Sequence, residues 1–217
     1  KLMSAIEIRK NIYAVGTQDP SRKIFDELIH LPNGTSYESY IIIGKDKIAI
    51  IDTVDPSKEL EFLNNIKELN IKKIDYIISN HAEQDHSGCI PKLLELYPEA
   101  KVTTNKKCKE FLIDLLHIEE SKFKTIEDNE MLDLGGKTLQ FVLTPWVHWP
   151  ETMVTYLIED KILFSCDFFG SHYATDKKFV NDEDKEFVYL GAKRYFAEIM
   201  MPFSKVIEGN IKKLEHL

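Results

Sequence analysis

The chain has 217 residues, of which 43% are hydrophobic and 29% are charged, a composition that is ordinary for a folded globular protein and excludes intrinsic disorder. Asp and Glu outnumber Lys and Arg by 36 to 28, and the formal net charge of −8 argues against binding to nucleic acid or to an anionic membrane. No apolar run approaches the ~20 residues that a bilayer-spanning helix needs, and the first residues do not resemble a secretory signal. Three scattered cysteines form no disulfide framework, so we expect a reducing, cytoplasmic location.

The first half of the chain alternates between predicted strands and predicted helices. Asp55 and Pro56 suit the N-cap and the first position of one helix, and Asn105 suits the N-cap of another. This βαβα alternation predicts a layered α/β fold without an internal domain boundary. Runs rich in β-branched and aromatic residues predict the strands at 12–15, 37–44, 47–54, 74–80 and 101–104.

The second half begins with hairpins and ends in helices. The pattern becomes helical from Asp184, breaks at Pro202 and resumes after Ser204, and the acidic run 181–186 is predicted to be the solvated start of the first of these helices. Because Leu217 lies within a helical pattern, we expect the natural domain to continue beyond it. The hairpins are predicted from 131–134 with 138–143, around a Gly-Gly pair, and from 152–158 with 161–166.

A dense group of ionisable side chains follows the predicted strand 74–80. His81, Glu83, Asp85 and His86 lie within six residues, between the carboxyl end of that strand and a helix, where α/β folds commonly place their sites. Two imidazoles with two carboxylates suit Fe(II), Mn(II) or Zn(II) and are poor ligands for Mg(II) or Cu(I). The alternative is a solvated polar loop, which so dense a cluster beside a buried strand argues against.

Two further candidates lie at the ends of later strands. His148 stands between two predicted strands, and Asp167 follows the apolar run 162–166. Taken singly, the first has the alternative of a core histidine bonded to the backbone, and the second that of a turn or helix N-cap. Beside the first cluster, they supply another nitrogen ligand and a carboxylate that is able to bridge two metal ions.

The order His81-x-Glu83-x-Asp85-His86, then His148, then Asp167 resembles the flavodiiron proteins. This resemblance implies a metallo-β-lactamase-like fold, a four-layer αβ/βα sandwich, over residues 1–217. It also implies two non-haem irons, of which one is bound by His81, Glu83 and His148 and the other by Asp85 and His86, with Asp167 as the bridge. Further segments that resemble the family are 34–37, 51–53, 79–81, 145–150 and 200–203.

The resemblance also implies a function. We expect a cytoplasmic homodimer that reduces O2 to water, NO to N2O, or both, with electrons from a rubredoxin- or flavodoxin-like protein or from a flavin domain. His172 is predicted to be a catalytic residue that hydrogen-bonds the bound diatomic, with a surface histidine as the alternative. Zinc hydrolases of this superfold carry histidine where this chain has Glu83, and the carboxylate favours iron. The rival functions are such a zinc hydrolase and a di-iron O2 sensor without fast turnover.

The sequence departs from the family pattern in two respects. A further histidine ligand, in a Ser-His-Gly context after the last helix, is not among the 217 residues, and neither is the flavodoxin-like domain that would hold FMN. Around the predicted site, Asp52 is expected either to support the ligands or to cap the end of its strand. Strand alternation assigns Cys166 to the core, and Trp146 and Trp149 are expected to pack around the metals.

Overall fold

The computed structural model describes residues 5–180 and 185–217. The start of the chain and residues 181–184, which include most of the predicted acidic helix start, lie outside the described residues. The strands are β1 (Ile6–Arg9), β2 (Ile12–Ala14), β3 (Thr17–Asp19), β4 (Ile24–Phe25), β5 (Ile29–His30), β6 (Thr35–Tyr37), β7 (Tyr40–Ile43), β8 (Ile48–Ile51), β9 (Tyr76–Ile78), β10 (Lys101–Asn105), β11 (Phe123–Ile126), β12 (Met131–Asp133), β13 (Thr138–Leu143), β14 (Met153–Leu157) and β15 (Ile162–Phe164). The helices are α1 (Glu59–Glu68), α2 (Gln84–Ser87), α3 (Ile90–Leu96), α4 (Lys106–Leu116), α5 (Lys185–Tyr195) and α6 (Ser204–Leu214).

Two principal sheets organise the described residues. The larger has the order β1-β2-β7-β8-β9-β10-β11, antiparallel from β1 to β8 and parallel from β8 to β11. The smaller is an antiparallel meander of β12, β13, β14 and β15. The parallel half arises because α1, the α2–α3 segment and α4 connect successive strands, as the βαβα pattern predicts.

Three apolar cores separate four layers, which run helices, sheet, sheet, helices. Alternate residues of β8 point to opposite faces of the larger sheet, so that Ile50 packs toward the α1–α4 helices and Ile51 toward the smaller sheet. On the far side of the smaller sheet, Val154 packs in a third core with Ile207 of α6. The predicted four-layer sandwich is therefore confirmed.

Local sequence signals set most boundaries. The Asp55 side chain accepts a hydrogen bond from the Ser57 amide at 2.9 Å, although the first turn, Pro56–Lys58, is a 3-10 turn that leads into α1. Asn105 caps α4 through the Cys108 amide, as predicted. The prediction of a single strand at 37–44 is wrong, because the structure has two strands there, β6 paired with β3 and β7 paired with β2. Between them, the buried Ser39 hydroxyl donates a hydrogen bond to the Asp52 carbonyl.

The last helices follow the predicted interruption. After α5, a π-helical segment, Phe196–Met200, and a 3-10 turn that contains Pro202 lead into α6. Among the helices of the described residues, none has the length and apolar character that crossing a lipid bilayer requires.

Candidate metal centre

Four of the predicted ligands converge in the structure. Ligand atoms of His81, Glu83, His148 and Asp167 all lie within 4.8 Å of one another. His81 follows β9, Glu83 stands at the start of α2 without capping its backbone, His148 lies between β13 and β14, and Asp167 follows β15. The site therefore forms at one end of both sheets, from segments that are remote in sequence.

Asp167 lies at the centre of the group. Its Oδ2 is 3.2 Å from His148 Nε2 and 3.5 Å from His81 Nε2, whereas its Oδ1 is 3.0 Å from His86 Nε2. The two carboxylate oxygens thus face different histidines. Asp85 and His86 lie outside the four-residue group, on the Oδ1 side, and their side chains are 3.6 Å apart.

The chemistry of these donors fits a pair of metal ions. Within the described residues, Asp85 Oδ1 is buried without a hydrogen-bond partner, which is costly for a polar atom unless it binds a ligand, and His86 Nε2 has the Asp167 carboxylate 3.0 Å away. On the other side, Glu83 Oε2 approaches His81 Nε2 at 3.0 Å and His148 Nε2 at 3.3 Å. Imidazole nitrogens and carboxylate oxygens together suit first-row divalent ions such as iron.

The electrostatics of the group combine burial with mutual ion pairing. Burial opposes charge on His81, but hydrogen bonds to two glutamates raise its pKa to about 10. Burial likewise opposes charge on His148, and its contacts with Asp167 and Glu83 raise its pKa to about 9. Burial, together with the nearby Asp167 carboxylate, raises the pKa of Asp85 to about 6. A metal ion that binds these groups must displace the proton from each coordinating imidazole nitrogen, so binding is coupled to proton release.

A residue that the sequence did not reveal contacts the far side of His81. Glu151 Oε1 lies 2.7 Å from His81 Nδ1 and accepts a hydrogen bond from the Ala82 amide at 3.0 Å. Trp149 packs edge-on against the same imidazole, with 5.0 Å between ring centroids. An acidic residue three positions after His148, directly after Trp149-Pro150, was the available signal.

Asp52 supports the site indirectly. Its carboxylate accepts hydrogen bonds from the Asn80 amide at 2.7 Å and from Asn80 Nδ2 at 3.0 Å, and Asn80 Oδ1 accepts one from the Thr155 hydroxyl at 2.7 Å. Burial raises the pKa of Asp52 to about 6. Asp52 therefore joins the ends of β8 and β9 immediately before His81 and is linked through Asn80 to the middle of β14, and of its two expected roles the strand-end contact is the one observed.

His172 lies beside the group rather than at the surface. Its Nδ1 is 2.9 Å from the Thr35 hydroxyl, and its ring packs against Phe25 and Tyr195. Within the described residues, His172 Nε2 is buried without a hydrogen-bond partner. Burial lowers the pKa of His172, which favours the neutral ring.

Two cavities reach the group. One, of about 250 Å³, is lined by Glu83, Asp85, His148, Asp167 and His172, with the acidic side chains of Asp26 and Glu198 also in its wall. The other, of about 450 Å³, reaches His86 and shares Asp85, Asp167 and His172 with the first. Small molecules thus have space beside the central carboxylate.

Two expectations about the surroundings are corrected by the structure. Cys166 lines the larger cavity instead of the core, because β15 ends at Phe164 and strand alternation does not extend to residue 166. Trp146 is 49% exposed and stacks on Phe203, away from the ligands, whereas Trp149 packs against His81 as expected.

Comparisons with known proteins identify the relatives of this chain. The family described as ODP family beta lactamase matches residues 35–217. The flavo-diiron protein FprA2 of Clostridium acetobutylicum is 38% identical over 99% of this chain and 54% of its own length. An anaerobic nitric oxide reductase flavorubredoxin of Vibrio vulnificus is 35% identical over 96% of this chain and 43% of its own length.

Solved structures give the same relationship. The flavodiiron protein from Giardia intestinalis superposes with a TM-score of 0.93 at 33% identity, over 100% of this chain and 53% of that one. The rubredoxin oxygen:oxidoreductase of Desulfovibrio gigas gives a TM-score of 0.94 at 28% identity, over 98% of this chain and 53% of that one. The chain therefore spans about half the length of these relatives.

Proposed function

The chain belongs to the ODP family of beta-lactamase-like proteins and is related to flavodiiron proteins, and from this premise we propose that it is a di-iron oxidoreductase that reduces O2 to water, NO to N2O, or both. The observation that carries the proposal is the position of Asp167, whose two oxygens face different histidines at the centre of the group. A carboxylate so placed is suited to bridge two ions.

The donor set divides into two halves around this carboxylate. In the proposal, one iron is held by His81, Glu83 and His148, and the other by Asp85 and His86. The first half is supported by the mutual distances of its ligand atoms, all within 4.8 Å. The second half is supported by Asp85 Oδ1, which is buried and unpartnered among the described residues, and by the 3.0 Å between His86 Nε2 and the central Asp167 carboxylate.

Two irons held by these residues would supply electrons to O2 or NO. Two aromatic side chains flank this region, since Trp149 covers one side of His81 and Phe168 is buried in the core beside the site. His172 is proposed to hydrogen-bond the diatomic through Nε2, while the Thr35 hydroxyl fixes its other nitrogen. Its neutral ring can serve as either donor or acceptor at Nε2, depending on the tautomer.

The charge in the wall of the smaller cavity favours this function over hydrolysis. Asp26 and Glu198 add negative charge to its wall, which disfavours an anionic phosphodiester or carboxylate substrate but not a neutral diatomic. Glu83, a hard oxygen ligand, also favours iron over the zinc of the hydrolases.

Electrons are proposed to come from a rubredoxin- or flavodoxin-like protein or from an FMN-containing domain, and the protein is proposed to act as a cytoplasmic homodimer. Three free cysteines support a reducing compartment. Phe187 and Leu190 of α5 are exposed beside a cavity that reaches His172 and Tyr195, which supports a protein contact close to the site.

The test is metal content combined with turnover. Protein purified without added metal is analysed for iron and zinc, and the iron-loaded protein is then assayed anaerobically for NO consumption and aerobically for O2 consumption with a rubredoxin and its reductase. We expect close to two irons per chain, little zinc, and steady-state consumption of one or both gases. Zinc in place of iron would support the hydrolase, and iron with gas binding but no turnover would support the sensor.

A further inference from the structure

The two nitrogens of His81 have different environments. Nε2 faces the proposed metal side, 3.0 Å from Glu83 and 3.5 Å from Asp167, whereas Nδ1 lies 2.7 Å from Glu151 Oε1. The side chains of His81 and Glu151 are both fully buried. We propose that Glu151 is the positioning residue of His81, which holds the ring as the Nδ1–H tautomer with the Nε2 lone pair directed at the metal. The inference rests on the proposed function, because it takes His81 as a metal ligand.

The Glu151 carboxylate is itself held in place. Oε1 also accepts a hydrogen bond from the Ala82 amide at 3.0 Å, so one oxygen fixes both the backbone after His81 and the ring. The Glu151 carbonyl accepts a hydrogen bond from Asn105 Nδ2 at 2.7 Å, and the same Asn105 side chain caps α4 through the Cys108 amide. The start of α4 therefore anchors the backbone of Glu151, and the carboxylate of this residue in turn contacts both the imidazole and the backbone after it.

The charge of Glu151 has a second consequence. Its Oε2 is buried and has no hydrogen-bond partner among the described residues, so no donor there disperses the charge on that oxygen. A carboxylate that accepts the outer N–H of a ligating histidine makes the imidazole more basic and strengthens its bond to the metal. A buried negative charge also stabilises Fe(III) relative to Fe(II). Glu151 should therefore lower the reduction potential of the iron that His81 binds.

The variants separate the hydrogen bond from the charge. Glu151→Gln retains an oxygen that can accept from His81 and Ala82 but removes the charge, and Glu151→Ala removes both. The matched control is Glu159→Gln, on the turn between β14 and β15, where the carboxylate also accepts a backbone hydrogen bond, from the Thr138 amide at 2.7 Å. The control makes the same chemical change at a distance from the proposed ligands.

The primary readout uses Zn(II) as a diamagnetic probe and requires no reductase activity. Nitrogen-15 NMR of the zinc-loaded wild type should place the His81 proton on Nδ1, and competition with a chelator should give zinc affinities. We expect affinity to fall about 10- to 100-fold in Glu151→Ala and by less in Glu151→Gln, with Glu159→Gln unchanged. In iron-loaded protein, Glu151→Gln should raise the reduction potential relative to the wild type and to Glu159→Gln.

Several outcomes would overturn the inference. They are an Nε2-protonated His81 in zinc-loaded wild type, or wild-type zinc affinity in both Glu151 variants, or an unchanged potential in Glu151→Gln. If Glu151→Ala does not fold, the Gln variant alone decides, because it preserves the hydrogen bonds. If the NMR and zinc-affinity results are as expected but the protein consumes neither O2 nor NO, the proposed function is refuted and the role of Glu151 stands. If the wild type turns over normally but the Glu151 variants keep wild-type zinc affinity, the role of Glu151 is refuted and the proposed function stands.

Discussion

Asp167→Asn is the sharpest test of the two-metal arrangement. The amide has the shape of the carboxylate but carries no charge, and its nitrogen cannot replace an oxygen ligand. Asp167 Oδ1 faces His86 and Oδ2 faces His148, at 3.0 and 3.2 Å, so the substitution removes one of these two ligand oxygens whichever way the amide is oriented. We therefore expect one half of the site to lose its metal and the other half to be weakened.

The size of the effect follows from the burial of the group. The Asp167 side chain is 14% exposed and lies among three histidines. Removing one partner from a buried, charged arrangement typically costs about 3–5 kcal/mol. At about 1.4 kcal/mol per factor of ten, this corresponds to a loss of roughly 100- to 5,000-fold in metal affinity. Iron content should fall from about two per chain to one or less, and gas consumption should be abolished.

The assay is anaerobic Fe(II) binding in competition with a chromophoric chelator, followed by O2 and NO consumption on the same samples. Asp75→Asn is the matched control. Asp75 also accepts a hydrogen bond, from the Ile48 amide at 2.8 Å, but it precedes β9, whereas His81 follows the other end of this strand. The control should bind iron like the wild type. Two irons of wild-type affinity and full turnover in Asp167→Asn would refute the bridging role.

Three further predictions concern His172, the metals and the cap of the first helix. His172→Asn should slow turnover by about 100-fold with iron content unchanged, since it removes a proton donor or acceptor but no ligand, and unchanged kinetics would contradict the proposed role. Chelation of the metals should lower the unfolding midpoint by roughly 5–10 °C in calorimetry, because ligand at 100 times its Kd contributes about 2.7 kcal/mol, and an identical midpoint would argue against a bound pair. Asp55→Ala should lower the free energy of unfolding by about 1–2 kcal/mol in urea at pH 7, since it removes the helix cap, in which Asp55 accepts from the Ser57 amide, and the ion pair with Arg22 at 2.9 Å. Burial opposes the ionised form of Asp55, but these donors lower its pKa below 3.8. The contribution of Asp55 to the free energy of unfolding is therefore complete above the unfolded pKa and is lost as the pH falls through the folded pKa. A stability difference between Asp55→Ala and wild type that does not shrink below about pH 4 would contradict this.

Much of the local structure was predictable because its causes are local. The capping roles of Asp55 and Asn105 follow from short polar side chains before helical periodicity, and both make the expected contacts. The strand predicted at 37–44 failed because the division between β6 and β7 depends on pairing with β3 and β2, which lie elsewhere in the sequence.

The types of metal-binding side chain were set by the sequence alone. Four candidate ligands within residues 81–86 indicate a site by their density, and their donor atoms already limit the choice of metal. By contrast, nothing within either segment alone fixes the distance of 3.2 Å between His148 and Asp167, because the two residues meet only when both hairpins of the smaller sheet are formed.

The tertiary structure alone decided which residues surround these ligands. The sequence places Glu151 near His148 and gives no sign of its contact with His81, which spans 70 residues. Trp146 and Trp149 are alike in sequence, yet one is exposed and the other covers the ligand. Sequence periodicity determines which face of a strand or helix is buried, whereas these contacts depend on how four layers pack, and that packing is settled by the summed burial of side chains from the whole chain.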